Sequence, residues 1–178
     1  MYELFVLGEL SISPKHGYEI QFMLKNTVGP IRQISNGTLY PLISRLVENG
    51  LINQRDEPQE GGRPRKIYEL TEMGRHRFHE LMDAPLEYNT DIDLQLHFKM
   101  TFFGYVSKEV RLATMGQYLE YLQYNLKYIT ELAAQVAAKP EIPEQKKPDI
   151  LRMFGHRRAV MESEIQWALK ETEYIATL

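Results

Sequence analysis

Between Leu112 and Val136 the apolar positions Leu112, Met115, Leu119, Leu122, Leu126, Ile129, Ala133 and Val136 recur at spacings of 3, 4, 3, 4, 3, 4 and 3. A seam of that regularity demands a long helix laid along another helix. Ser107 stands where it can cap the start, and Lys139 precedes a Pro-rich break at 140–148. Such a helix is about 50 Å long at about 1.5 Å per residue. Beyond the break the pattern returns as Leu151, Phe154, Arg158, Met161, Ile165, Ala168, Thr172 and Ile175. Two long helices with no third of comparable length predict a coiled-coil-like dimerisation region. Its expected contacts are Leu112, Met115, Leu119, Leu122, Leu126 and Ile129 on the first helix, with Leu151, Phe154, Met161 and Ile165 on the second.

The amino-terminal part is built differently. An apolar run at Leu4–Leu7 with Leu10 predicts a short helix, and Ser11–His16 with Pro14 a turn. Ile20, Met23, Leu24 and Val28 then mark one face of a second helix, ended by Gly29-Pro30. Leu39, Leu42, Ile43, Leu46 and Val47 mark a third, stopped at Asn49-Gly50. Pro41 has no amide hydrogen, so that helix is expected to start near Gly37 or Thr38 with Pro41 in its first turn. The period then becomes extended. Residues 51–55 and 66–70 read as two strands joined by a Pro- and Gly-rich loop. Thr71 reads as the N-cap of a fourth helix carrying Phe78, Leu81 and Met82. Three helices, a hairpin and a helix give the order of a winged helix-turn-helix. The expected architecture is therefore mainly α (α+β): a winged domain at 1–84 and a helical dimerisation domain at 85–178, whose first helix covers about 92–103.

Composition bounds what such a chain does. A hydrophobic fraction of 43% with 25% charged residues belongs to an ordinary soluble globular protein. There are no cysteines, which excludes disulfides and thiolate metal sites and fits a reducing compartment. No basic leader precedes the first apolar run, and no stretch approaches a membrane span, so the expected location is cytoplasmic, with no membrane partner. The net charge of −3 argues against a uniformly basic nucleic-acid binder. Residues 1–84 carry 10 Lys and Arg against 11 Asp and Glu. Any affinity for DNA must then come from where the cations stand.

Two places concentrate suitable groups. In a helix-turn-helix the second helix of the pair enters the major groove by its N-terminal end. Here that end offers Asn36 and Thr38, followed by Tyr40, Ser44 and Arg45 on the side opposite the leucines. Short hydrogen-bonding groups, a phenol and a guanidinium suit base edges and phosphates, although the solvated face of any amphipathic helix uses the same residue types. In the hairpin loop Gly61-Gly62 permits a reversal, and Arg63, Arg65 and Lys66 follow within four residues. That cluster suits phosphates flanking a groove. Asp56, Glu57 and Glu60 precede it, and a hairpin whose charges pair internally is the competing reading. On the long helix Tyr121, Tyr124 and Tyr128 lie away from the seam at i, i+3 and i+7. They read either as packing or as the wall of a pocket for a small planar ligand.

Catalysis has no footing. His76 and His79 share a helix face without an evident third ligand, so no metal site is expected. Phosphate loop, nucleophile elbow and spaced acidic dyad are all missing from the sequence. An enzyme is not expected, nor a cofactor.

His16-Gly17-Tyr18-Glu19-Ile20, Gly37-Thr38-Leu39-Tyr40-Pro41 with Arg45-Leu46, Gly50-Leu51-Ile52, and Gly62-Arg63-Pro64-Arg65-Lys66 with Tyr68, Leu70-Thr71 and Gly74 resemble the PadR family of transcription regulators. These motifs follow the family's order and spacing over residues 4–80; the remainder is similar in length and helicity to the family's longer branch. The resemblance implies a homodimer on a palindromic double-stranded operator, usually as a repressor. It implies DNA contact by Asn36, Thr38, Tyr40 and Arg45, by Arg63, Arg65 and Lys66, and by Tyr18 near the backbone. A small aromatic effector such as a phenolic acid would suit the tyrosine stripe. A winged helix used for protein interaction, with no DNA role, is the rival that the balanced charge of residues 1–84 supports.

Overall fold

The computed structural model describes residues 1–29, 35–58 and 64–178, with Asn36 described by its backbone alone. Two compact units divide the chain, Met1–Ser107 and Lys108–Leu178.

In the first unit helix α1 (Tyr2–Ile12) is buried from Leu4 to Leu10, which explains why its sequence is apolar on nearly every side. Its one buried acid, Glu9, is matched by Lys15, whose Nζ donates to the Glu9 carbonyl at 2.7 Å and lies 3.6 Å from the carboxylate. The segment read as a turn contains a two-residue strand, β1 (Lys15–His16). Helix α2 (Gly17–Val28) follows it, and α3 spans Asn36–Glu48. Leu39, Leu42, Ile43 and Leu46 form the inner face of α3, as their spacing required. The helix starts at Asn36, slightly before the expected position, so Pro41 falls in the second turn and the Gly37 carbonyl has no amide hydrogen to accept there. Thr38 and Leu39 amides both donate to the Ser35 carbonyl, at 3.0 and 3.3 Å, and fix the start.

Strands β2 (Ile52–Glu57) and β3 (Arg65–Leu70) pair antiparallel from Ile52↔Leu70 to Glu57↔Arg65, and β1 adds to the other side of β3 through Lys15↔Tyr68 and His16↔Ile67. The sheet order is β1-β3-β2. Helix α4 (Glu72–Asp83) is capped by Thr71, whose Oγ1 accepts from the Gly74 amide at 3.0 Å and donates toward the Gly50 and Leu51 carbonyls. A Cβ at Gly74 would stand 2.0 Å from the Leu51 carbonyl oxygen, so only glycine lets α4 begin against that backbone.

Helix α5 (Ile92–Thr101) is followed by a separate 3-10 turn at Phe103–Tyr105, where one helix was expected. These residues belong to the first compact unit, Met1–Ser107. Phe98 packs 5.1 Å from Phe5, and Phe102 lies 5.8 Å from both Phe5 and Phe78, edge-on to the latter. All four rings are essentially inaccessible. The aromatic core of the winged unit is thus completed from beyond the fourth helix.

The second unit is a hairpin of α6 (Lys108–Ala138) and α7 (Lys147–Thr177). Lys108 Nζ donates to the Ala176 carbonyl at 2.5 Å, and the Tyr118 hydroxyl donates to Glu164 at 3.4 Å, so the helices run antiparallel. Ile129, Val136 and Phe154 form a core with Leu132, Ala133, Ile142, Ile150, Leu151 and Met161 around it. Met115 and Leu122 are buried as well, while Leu112, Leu119, Leu126 and Ile165 are half-buried. The seam residues therefore have a neighbour within their own chain. Within the chain, α7 supplies a facing helix for the seam of α6.

Candidate nucleic-acid interface

The polar side of α3 is open. Thr38, Ser44 and Arg45 are exposed, and Tyr40 is 40% exposed. Ser35 and Thr38 hydroxyls stand 3.2 Å apart at its first turn. The Tyr40 ring folds back onto the start of α2: a Cβ on Gly17 would come within 2.9 Å of Tyr40 Cε1. Glycine at 17 is what lets α2 and α3 meet through this phenol.

His16 joins the start of α2 to the wing. Its amide donates to Glu19 at 2.7 Å, which closes the first turn of α2. Its Nδ1 lies 3.0 Å from the Lys66 carbonyl on β3, and its Nε2 lies 3.1 Å from Glu57 on β2. The imidazole stacks on Tyr18 at 5.4 Å and 11°. The Arg65 guanidinium lies 5.8 Å from the centre of the same Tyr18 ring. Arg65 faces Glu57 in the strand register, yet Glu57 reaches His16.

Tyr18, Tyr40, Arg65 and Lys66 are thereby brought to one surface, around a cavity of about 290 Å³ that His16, Gly17 and Tyr68 also line. Ser44 and Arg45 lie further along α3. Arg63 and the Asn36 side chain fall outside the described residues. Sequence reasoning missed His16 and Tyr68 as site residues. Both stand inside the quoted motifs, but only the pairing of β1 with β3 brings them together. Burial, and then the neighbouring Tyr40, push the Tyr68 phenol above its ordinary range.

The other candidate positions are more dispersed. On α6 Tyr124 and Tyr128 are 69% and 54% exposed, whereas Tyr121 is half-buried and stacks 6.4 Å from the buried Tyr118. His76 pairs with Glu80 at 3.3 Å, and among the described residues no group of three His, Asp or Glu is placed to hold a metal. No helix among them is long and apolar enough to cross a membrane.

The first unit has the three-helix order, two-stranded wing and capped fourth helix of a winged helix-turn-helix, with its cations and polar helix face on one surface. That is the class of sequence-reading regulators. The chain belongs to the PadR family: the profile described as "Transcriptional regulator PadR-like family" matches residues 6–80. It is similar to the negative transcriptional regulator PadR of Bacillus subtilis (strain 168), at 22% identity over 151 residues, 85% of this chain and 81% of that one. Among solved structures it is similar to a PadR-like transcription factor from bacteroid fragilis, at 32% identity over 46% of this chain and 76% of that one, with a TM-score of 0.42. Bacillus subtilis PadR in complex with operator DNA matches at 18% identity over 98% of both chains, with a TM-score of 0.45. The family is one of transcriptional regulators.

Proposed function

We propose that the chain is a homodimeric, sequence-specific repressor that binds a palindromic operator and is released by a small aromatic effector. The observation that carries the DNA reading is the convergence of Tyr18, Tyr40, Arg65 and Lys66 beside the exposed face of α3. In this reading Thr38, Ser44 and Arg45, together with Asn36, address base edges and nearby phosphates, while Arg65, Lys66 and Arg63 hold the flanking backbone. The sign of regulation is supported by the name of the Bacillus subtilis relative, a negative regulator.

A palindrome requires two winged units related by a twofold axis. Because α6 and α7 cover each other's seam, the dimer contact assigned here is a different stripe. Met153, Val160, Trp167 and Tyr174 are each seven residues apart on α7 and are 38–58% exposed. They span about 32 Å of helix. The stripe of Tyr121, Tyr124 and Tyr128 is the proposed seat of the effector. Release requires the effector to bind the DNA-incompetent arrangement more tightly.

Retardation of the chain's own upstream DNA and of random DNA at two salt concentrations tests the reading. Preferential binding to one site, weakening steeply with salt, is expected. No retardation at low salt would favour a protein-interaction module, which the balanced charge of the winged domain supports. For the effector, calorimetric titration with phenolic acids should give binding that Tyr124→Ala and Tyr128→Ala abolish.

A further inference from the structure

The cavity at the start of α2 contains a polar group that the fold itself does not use. Tyr68 is only 4% exposed, yet among the described residues no hydrogen bond satisfies its hydroxyl. Buried phenols ordinarily find a partner. No sealed side-chain oxygen or nitrogen among the described residues lacks one, so the Tyr68 hydroxyl must open into the cavity it lines. The Tyr40 hydroxyl stands on the opposite wall, where a Cβ at Gly17 would be 3.4 Å from it. Arg65 and Lys66 complete the rim.

The chemistry of this cavity is one-sided. Both phenols can donate, and the elevation of the Tyr68 phenol keeps its proton in place at neutral pH. The first turn of the 12-residue helix α2 faces the same space, with the partial positive charge of a helix N-terminus. Of the nearby acids, Glu19 is held by the His16 amide and Glu57 by its ring, and Asp56 stands opposite Lys66 in the strand register. What remains is two neutral donors, two cations and a helix start, a set that fits a small oxyanion with more than one accepting oxygen.

We propose that this cavity seats one backbone phosphate of the bound DNA, with the Tyr68 and Tyr40 hydroxyls donating to its oxygens and Arg65 neutralising its charge, while Lys66 at the rim takes the neighbouring phosphate. The proposal rests on the DNA-binding reading. It gives Tyr68, a buried residue of β3, a direct role in binding, and it makes Gly17 necessary because a side chain there would displace Tyr40.

The test uses the full chain, its footprinted operator, and duplexes carrying a neutral methylphosphonate at each single position. Tyr68→Phe and Tyr40→Phe remove one hydroxyl each and keep the ring. Each removes two hydrogen bonds to phosphate per dimer and should weaken operator binding about a hundredfold, at about tenfold for each bond to a charged group. The salt dependence should not change, because a phenol displaces no counterion. One methylphosphonate per half-site should weaken the wild type more than the double variant, which has lost the hydroxyl contacts to that phosphate but keeps the cationic one. Wild-type affinity in Tyr68→Phe, or equal weakening of both proteins at every methylphosphonate, would overturn the phosphate seat while leaving DNA binding in place. Failure of the wild type to bind any DNA would instead remove the reading beneath it.

Discussion

Truncating Lys66 to Ala should change the salt dependence of operator binding by an amount set by the symmetry of the complex. The Lys66 side chain is exposed at the rim of the cavity, while its backbone carbonyl makes the contact to His16. The substitution therefore removes a charge without breaking the link between α2 and the wing. With Arg45, Arg65 and Lys66 each neutralising one phosphate, a dimer makes about six such contacts, for a slope of log affinity against log salt of about −5.4. Raising salt from about 50 to about 200 mM then weakens the wild type about 2,000-fold. Lys66→Ala removes two contacts per dimer, the slope becomes about −3.6, and the same change in salt costs about 150-fold. Retardation or fluorescence anisotropy over four salt concentrations measures both slopes. Arg75→Ala, on exposed helix α4 and 3.9 Å from Glu72, serves as the control with an unchanged slope. A parallel drop in affinity at every salt concentration, with the slope intact, would show that Lys66 supports the fold and does not touch phosphate. A fall of only about 0.9 would show a single wing on the DNA.

The helical unit should separate folding from assembly. Leu122, buried between α6 and α7, is expected to lose about 2–5 kcal/mol on truncation to Ala, read as a lower melting temperature. Val160→Lys, on the exposed stripe of α7, should leave melting of the hairpin unchanged and convert a dimer into a monomer in light scattering; a dimer that survives it places the contact elsewhere. In the winged unit, burial lowers the Lys99 ammonium from 10.5 to about 8, with Asp83 opposing the shift. Its Nζ donates to the Met82 carbonyl at 2.7 Å and to that of Ala84, at the end of α4. Between about pH 8 and pH 10.5 the unfolded chain holds more protons than the folded one, so stability should rise with pH, by at most about 3 kcal/mol. Denaturation of the wild type and Lys99→Met across that range should show the rise only in the wild type, and identical profiles would place Lys99 in water.

The fold was legible where periodicity alone decides it. The face of α3, the two strands and the Thr71 cap all follow from local spacing or a local hydrogen bond, whereas on α2 the spacing held for Ile20 and Leu24 but not for Met23, which is 41% exposed. What escaped depends on distant contacts. A two-residue β1 carries no period of its own and exists because β3 offers it an edge. Phe98 and Phe102 read as part of a separate helical region, and only their packing on Phe5 and Phe78 assigns them to the winged unit. The heptads of residues 112–136 and 151–175 established that each helix has a helical neighbour, but not which chain it comes from. Meanwhile Met153, Val160, Trp167 and Tyr174 were spaced by seven in plain view.

The interface turns on the same distinction between what a composition totals and where its groups go. Counted over residues 1–84, acids outnumber bases by one, and the wing alone places Asp56 and Glu57 ahead of Arg65 and Lys66. Pairing within the hairpin would have cancelled the cations. Instead His16 takes the Glu57 carboxylate at 3.1 Å on one side and uses Glu19 to cap its own amide on the other. Arg65 is drawn over Tyr18, toward the surface where α3 is exposed. The His16 side chain at the start of α2 thus determines which charges of the wing remain available. For that reason His16→Ala should weaken DNA binding although His16 need not touch DNA: freed from the ring, Glu57 is opposite Arg65 in register and can pair with it. Glu57→Gln in the same background should restore most of the loss. A double variant no better than His16→Ala would show that His16 acts by holding the backbone of β3 and not by diverting an acid.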